Sequence, residues 1–267
     1  MIFRIFSDKN GSNRDFFSIF VRSFNEIRTL CFMQYHNRST GLNIPPVTKH
    51  LMIINVIVWL ASFVSFQMWK SSNPSMPPDA FLDYSGLYKM LGLHYWQASL
   101  FRPWQFLTYM FMHDPTNIYH IFCNMFSLWM FGGWIEQKLG AKRYLLYYIV
   151  CGLGAALVQE LVWLMEFNGN AMYYDLLLTV GASGAVFGIL LAFGMFFPNA
   201  KMYIIPFPFP IKAKWVVLGY GVFELFFGIS GTMSGVAHYA HLGGMVAGII
   251  MIMYWKYTGL IKRNDIY

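Results

Sequence analysis

The sequence predicts an all-α polytopic membrane protein: six transmembrane helices in one bundle, with a long segment between the first two. Three observations carry that expectation. Of the 267 residues, 57% are hydrophobic and 12% are charged, about half the charged share of a soluble domain. The apolar residues gather in long runs instead of alternating with polar ones. The positive charges also sort to one side of those runs.

The runs place spans at about 50–69, 117–136, 144–165, 181–197, 214–229 and 237–255. With a cytoplasmic N-terminus, sixteen of the nineteen lysines and arginines fall on the cytoplasmic side, leaving out Lys70, Lys89 and Arg102. The loops at 166–180 and 230–236 contain none. Both termini are therefore expected in the cytoplasm. The formal charge of +7 belongs to this asymmetry, so no nucleic-acid partner is inferred; the partner it implies is the lipid bilayer. Cys31, Cys123 and Cys151 are odd in number and have no ligand spacing, which argues against a disulfide framework.

Residues 1–43 read as a polar, basic cytoplasmic leader, expected to be disordered. The alternative is a surface helix using Phe16, Phe17, Ile19, Phe20 and Phe24. Met33 is a possible working start, with residues 1–32 dispensable. Asn43-Ile44-Pro45-Pro46 marks the boundary, since paired prolines break a helix. The membrane domain spans 44–257, and 258–267 is a cytoplasmic tail.

The first outer segment, about 70–116, is too long for a simple connector. It is rich in rings, among them Phe81, Tyr84, Tyr88, Tyr95, Trp96, Phe101, Trp104 and Phe106. Such a loop is expected at the interface with rings at headgroup level, bracing or roofing a site or forming a plain hairpin.

The fourth span opens with Gly181-Ala182-Ser183-Gly184-Ala185-Val186-Phe187-Gly188, and the sixth with Ala240-His241-Leu242-Gly243-Gly244-Met245-Val246-Ala247-Gly248. A lone serine in an apolar helix usually bonds only its own backbone. Here Ser183 lies fifteen residues before Pro198, and His241 fifteen before Lys256. At about 1.5 Å per residue, both sit roughly 22 Å above the inner boundary. A serine and a histidine at one depth make a nucleophile and its base. Gly181, Gly184 and Gly188 share one face, and Gly244 and Gly248 another, so the two backbones are expected to pack closely. A fourth span starting near Ser183 is short, which predicts a water-filled cavity above it.

The second span contributes His120 and Asn124, four apart on one face and at a similar height. Acyl transfer develops an oxyanion, and these side chains with the Ser183 amide suit its stabilisation; the alternative is that they only tie helices together. A metal site from His113, His120, His238 and His241 lacks a completing carboxylate or cysteine other than Asp114, so no metal and no cofactor are expected. Glu160 and Glu224 stand within apolar spans; Glu224 is expected to take a hydrogen-bonded or neutral structural role, pairing across a helix interface, with titration in gating as the alternative.

Gly-Ala-Ser-Gly at 181–184, Ala-His-x-x-Gly at 240–244 and His-x-x-x-Asn at 120–124 resemble the rhomboid intramembrane serine proteases, in the six-span bacterial form. Trp104-Gln105-Phe106-Leu107-Thr108, Phe111-Met112-His113 and Gly132-Gly133-Trp134-Ile135-Glu136 are similar to it as well. The resemblance implies Ser183 as nucleophile and His241 as base, a dyad without an acid. It implies an oxyanion hole of His120, Asn124 and the Ser183 amide, with Phe187 packing on the histidine. It also implies transmembrane protein substrates, cleaved near the outer membrane boundary in a bacterial inner membrane. Two other classes remain: a non-catalytic rhomboid-like protein that binds or escorts membrane clients, and a small transporter with a midplane site and internal repeats.

Overall fold

The computed structural model describes residues 44–78, 80–167, 170–203, 209–230 and 237–261. The leader 1–43, with its phenylalanines and Met33, lies outside the described residues, as do residues 231–236 and most of the tail 258–267.

Helix α1 (Pro46–Ser72) begins with proline at a position where no amide hydrogen is needed. Its first turn is capped from a distance: Val47 N–H and Thr48 N–H donate to the Glu136 carboxylate at 2.9 and 2.7 Å, and the Thr48 hydroxyl donates to it at 2.8 Å. A carboxylate at a helix N-terminus meets both the open amides and the positive end of the helix dipole. Further along, Ile53, Ile57, Leu60, Val64 and Met68 are exposed, as a helix facing lipid requires.

The segment after α1 is folded. It contains α2 (Ala80–Tyr84), α3 (Gly86–Leu91), strand β1 (Leu93–His94), α4 (Gln105–Thr108) and a 3-10 turn, Tyr109–Phe111. Phe81 and Tyr88 are buried and pack with Phe66 and Met112, and Tyr95 is fully enclosed. Phe81 thus packs on Phe66 and Trp69 of α1, and Tyr95 on Trp163 and Tyr174; among the segment's described rings, Trp96 and Trp104 are the substantially exposed ones. The segment's backbone is satisfied in part by Gln105, wholly buried. Its amide donates to the carbonyls of Lys89 and Leu100, both at 3.0 Å, and its oxygen accepts from the Arg102 N–H at 3.1 Å. A buried amide so placed satisfies loop backbone groups that burial would otherwise leave unpaired.

Helix α5 (Ile118–Ser127) is capped by the Asn117 side chain, which accepts from Tyr119 N–H at 3.1 Å. It runs through a π-helical turn, Leu128–Gly132, into α6 (Gly133–Leu139). The second run, expected as one span, thus carries a local irregularity, and glycines permit it. A Cβ on Gly132 would meet the Tyr144 hydroxyl at 2.5 Å and Thr48 at 3.3 Å. Gly140, with φ 80°, ends α6.

Helix α7 (Ala141–Phe167) is the centre of the bundle. Strand β2 (Leu178–Thr179) pairs antiparallel with β1, Leu93 opposite Thr179, and so attaches the first outer segment to the approach to α8 (Ser183–Phe196). A separate two-strand hairpin, β3 (Lys201–Met202) and β4 (Ile211–Lys212), pairs Lys201 with Lys212. Helices α9 (Ala213–Ser230) and α10 (His238–Tyr257) complete the chain. Among the described residues, α1, α7 and α9 are long and apolar enough to cross a membrane, and α8 is a shorter apolar helix.

Candidate active site

The site is built where α8 begins. Gly181, at φ 135°, takes a conformation that side chains resist, and its N–H donates to the Tyr109 carbonyl at 3.0 Å. The chain turns there and enters α8 at Ser183. The first intrahelical bond runs from Val186 N–H to Ala182 O. The amides of Ser183, Gly184 and Ala185 therefore lie at the open, positive end of the helix.

His241 stands in the first turn of α10. Its Nε2 is 2.8 Å from Ser183 Oγ. Its ring stacks on Phe187 with centroids 4.3 Å apart and planes 8° from parallel. Phe187 is one turn after Ser183, so a single face of α8 offers both the hydroxyl and the supporting ring. On the other side of the imidazole, Nδ1 lies 3.0 Å from Glu224 Oε2 on α9, and the same oxygen lies 2.7 Å from Nδ1 of His238.

Glycines make this approach possible. A Cβ on Gly244 would land on the backbone carbonyl of Gly184, and one on Gly184 would collide with Ala155 of α7. Gly188 faces Cys151, and Gly248 faces the Tyr147 hydroxyl, which itself donates to Gly188 O at 2.8 Å. The contact is thus three-sided, α8 and α10 both seating on α7. Gly154 and Gly243 extend it: a Cβ on Gly243 would lie 2.8 Å from Gly154 O.

His120 completes the opening. The Cβ position that Gly181 leaves empty lies 2.8 Å from His120 Nε2 and 3.5 Å from Ser183 Oγ. Asp114 N–H donates to His120 Nδ1 at 3.4 Å, which leaves the ring proton on Nε2, the atom facing that space. Asn124 is buried one turn along α5 and donates one amide hydrogen to His120 O at 2.9 Å; an amide carries a second. The four histidines weighed as a metal set fall into two pairs. His113 and His120 have rings 5.0 Å apart, and His238 and His241 rings 6.4 Å apart. Glu224, His238 and His241 do present their ligand atoms within 4.8 Å of one another. Their 2.7 and 3.0 Å separations are hydrogen-bond lengths, shorter than the edge of about 3.3 Å implied by tetrahedral zinc with bonds of about 2.0 Å.

The family model of the rhomboid domain matches residues 100–257, which hold all of these groups. The chain belongs to the rhomboid family. Rhomboid protease AarA of Providencia stuartii is 30% identical over 176 residues, covering 61% of this chain and 59% of that protein. "Rhomboid-like protein 11, chloroplastic" of Arabidopsis thaliana is 32% identical over 166 residues, 57% of this chain and 52% of its own. "Rhomboid protein 1, mitochondrial" of Saccharomyces cerevisiae is 31% identical over 134 residues, 50% and 37% respectively. The rhomboid chain thus spans between about a third and three fifths of the length of these relatives, and it is an integral membrane protein on family grounds and by its apolar helices.

Sequence reasoning brought Ser183, His241, Phe187, His120 and the glycines to one place. It did not find that Glu224 reaches His241, nor that His238 shares the carboxylate. The signal was there: an ionisable residue within an apolar run needs a partner. Nothing in the spacing says which helix face supplies it. The part of α7 was also missed, because Ala155 and Cys151 are small apolar residues without any motif.

Proposed function

We propose that this rhomboid chain is an intramembrane serine protease that hydrolyses transmembrane protein substrates near the outer membrane boundary. The supporting observation is the 2.8 Å approach of Ser183 Oγ to His241 Nε2 at the open end of α8. Ser183 attacks the scissile carbonyl while its proton passes to Nε2 of His241. The oxyanion that forms is met by the Ser183 amide, the Nε2–H of His120 and the Asn124 amide. His241 returns the proton to the leaving amine as the C–N bond breaks. Water then attacks the acyl ester, again with His241 as base, and Ser183 is restored. Phe187 holds the imidazole plane, and Gly181, Gly184, Gly244 and Gly248 keep the two helix ends close.

In this reading six segments cross the bilayer: α1, the α5–α6 run, α7, α8, α9 and α10. Residues 44–257 form the membrane domain, and the leader 1–43 and tail 258–267 face the cytoplasm of a bacterial inner membrane. Helix α8, at about 21 Å by its rise, falls short of a hydrocarbon layer of about 30 Å. Its N-terminus therefore ends inside the bilayer, where the site needs a water-filled opening to the outside.

The test is covalent labelling of the full chain in detergent by a fluorophosphonate, beside cleavage of a fluorogenic transmembrane peptide. Wild type should label at Ser183 and cleave; Ser183→Ala and His241→Ala should do neither while remaining folded, with Ser183→Ala unfolding at unchanged temperature. Stable, unlabelled, inactive wild type that still retains a membrane client would assign the chain to the non-catalytic binders.

A further inference from the structure

We propose that Glu224 is a positioning residue for His241, holding it in the tautomer that catalysis needs and stabilising the imidazolium that forms. This rests on the protease reading above. Glu224 is buried on α9 and has its Oε2 within hydrogen-bonding distance of two imidazole nitrogens at once, 2.7 Å from His238 Nδ1 and 3.0 Å from His241 Nδ1. A carboxylic acid protonated on Oε2 has one proton and can donate to one ring only. A carboxylate accepts from both, provided each histidine carries its proton on Nδ1. That state satisfies both contacts to the carboxylate, and the atom it leaves without a partner is the acceptor Nε2 of His238.

The consequence falls on the far side of the ring. With Nδ1 protonated and bonded to Glu224, Nε2 of His241 is the acceptor, and the Ser183 hydroxyl 2.8 Å away must be the donor. In the other tautomer Nε2–H would point at Ser183 and could not take its proton. A carboxylate also favours the imidazolium formed during attack, the role a buried acid plays in a serine triad. His238 does not touch Ser183. It is the second donor to Oε2, and it rests on Phe227, ring centroids 6.0 Å apart. Its hydrogen bond fixes the carboxylate and draws part of its charge away from His241.

The titratable groups around His241 are few. Ser183 lies on α8, Glu224 on α9 with Tyr220 behind Phe187, His120 on α5, and His238 on α10 itself. On α7, Tyr147 and Cys151 lie two turns down beside Gly248. The carboxylate is the charge in direct contact with the ring.

The experiment uses the full chain in detergent, with kcat, KM and the pH–rate profile on a fluorogenic transmembrane peptide, and fluorophosphonate labelling rates in parallel. Glu224→Gln keeps the shape and removes the charge. It should lower kcat on the order of 10²- to 10⁴-fold, leave KM within about twofold, and move the acid limb of the profile to lower pH, because the imidazolium loses its counter-charge. Glu224→Asp should recover part of the rate. His238→Phe keeps a ring against Phe227 and leaves the whole carboxylate to His241, so the same limb should move to higher pH. Opposite movements in the two variants support positioning. An unshifted limb in both, or kcat within about twofold in Glu224→Gln, overturns it. If Glu224→Gln does not fold, the direction of the His238→Phe shift decides alone: upward supports the proposal, and downward or none overturns it. Ser183→Ala separates the two readings. If that variant cleaves, the protease reading fails; if it is inactive while Glu224→Gln matches wild type, only the present inference fails.

Discussion

Gly181→Ala is the substitution for which the structure gives the fullest expectation. Two effects are separable. The backbone stands at φ 135°, a region where a side chain costs on the order of 1–3 kcal/mol. The added methyl would also sit 2.8 Å from His120 Nε2 and 3.5 Å from Ser183 Oγ, in the space assigned to the substrate's oxyanion. Displacing that oxygen from one donor costs about 10²- to 10³-fold in rate, or about 2.7–4 kcal/mol of transition-state stabilisation. The strain falls on stability and the blockage on kcat, and a control tells them apart. Gly259 also has positive φ, 73°, but open space around its missing Cβ, and it lies beyond the C-terminal end of α10. Gly259→Ala therefore imposes backbone strain without touching the site. The assay is peptide cleavage beside thermal unfolding, in one detergent. Gly181→Ala should lower the unfolding temperature and reduce kcat at least 10²-fold; Gly259→Ala should lower the unfolding temperature and keep kcat within about twofold. Equal activity losses in the two variants, or wild-type kcat in Gly181→Ala, would refute the placement of the oxyanion beside Gly181.

Gly244→Leu should fail more globally, because its Cβ alone would land on the Gly184 carbonyl; unfolding in detergent should shift down sharply, whereas Gly219→Leu on α9, with open space at its Cβ, should unfold near wild type. Acid should also destabilise the fold through His113. Burial holds its pKa down at about 3, against about 6.5 in an unfolded chain. Between those values the unfolded state binds a proton that the folded state refuses, so stability falls as pH drops, by up to about 1.4 kcal/mol per pH unit. Unfolding temperatures from pH 8 to 4 should decline below about pH 6.5, and His113→Gln should flatten that decline; a parallel decline in the variant would assign the effect to other groups, His94 first, since burial lowers its pKa as well.

The sequence was readable where one residue type is nearly the only solution. Small residues on a helix face in an apolar run admit close backbones, so Gly184, Gly244 and Gly248 announced the α8–α10 contact. Ser183 and His241 were readable by depth, since a helix converts residue count into height. Rotation was another matter. Glu224 lies seventeen residues before His241 on another helix, and no period in the apolar run of α9 tells which side faces α10. The packing of the segment between α1 and α5 was not readable for a related reason. The segment's aromatic content suits a headgroup layer and a buried core equally well, and the rings that meet Phe81 and Tyr95 come from elsewhere in the chain, Phe66 on α1, Trp163 on α7 and Tyr174. The close packing at Gly132, which ends the π-helical turn Leu128–Gly132, is against Thr48 and Tyr144, residues of two other helices that only the folded chain brings near.

These features bear on one problem under the proposed mechanism, how a serine on an apolar helix would become reactive. A hydroxyl in the middle of such a helix bonds its own backbone and has nowhere to develop charge. Ser183 avoids this by standing at the first position of α8, where Gly181 turns the chain and the amides remain open. The same start point places Phe187 one turn on, under the His241 ring. His241 in turn stands at the start of α10, where its Nδ1 can reach Glu224 on α9. Each group proposed to react thus sits at a helix end and each supporting group within a helix body, so the proposed chemistry would occupy the irregular backbone while regular helices fix its geometry. It follows that moving the start of α8 should matter more than changing its composition. Replacing Ile189 or Leu190 by Val, mid-helix and buried, should cost about 0.5–1.5 kcal/mol of stability with kcat retained. Inserting one alanine between Ala182 and Ser183 would rotate Ser183 by about 100° relative to Gly181 and His120 and should abolish labelling by fluorophosphonate in a chain that still inserts.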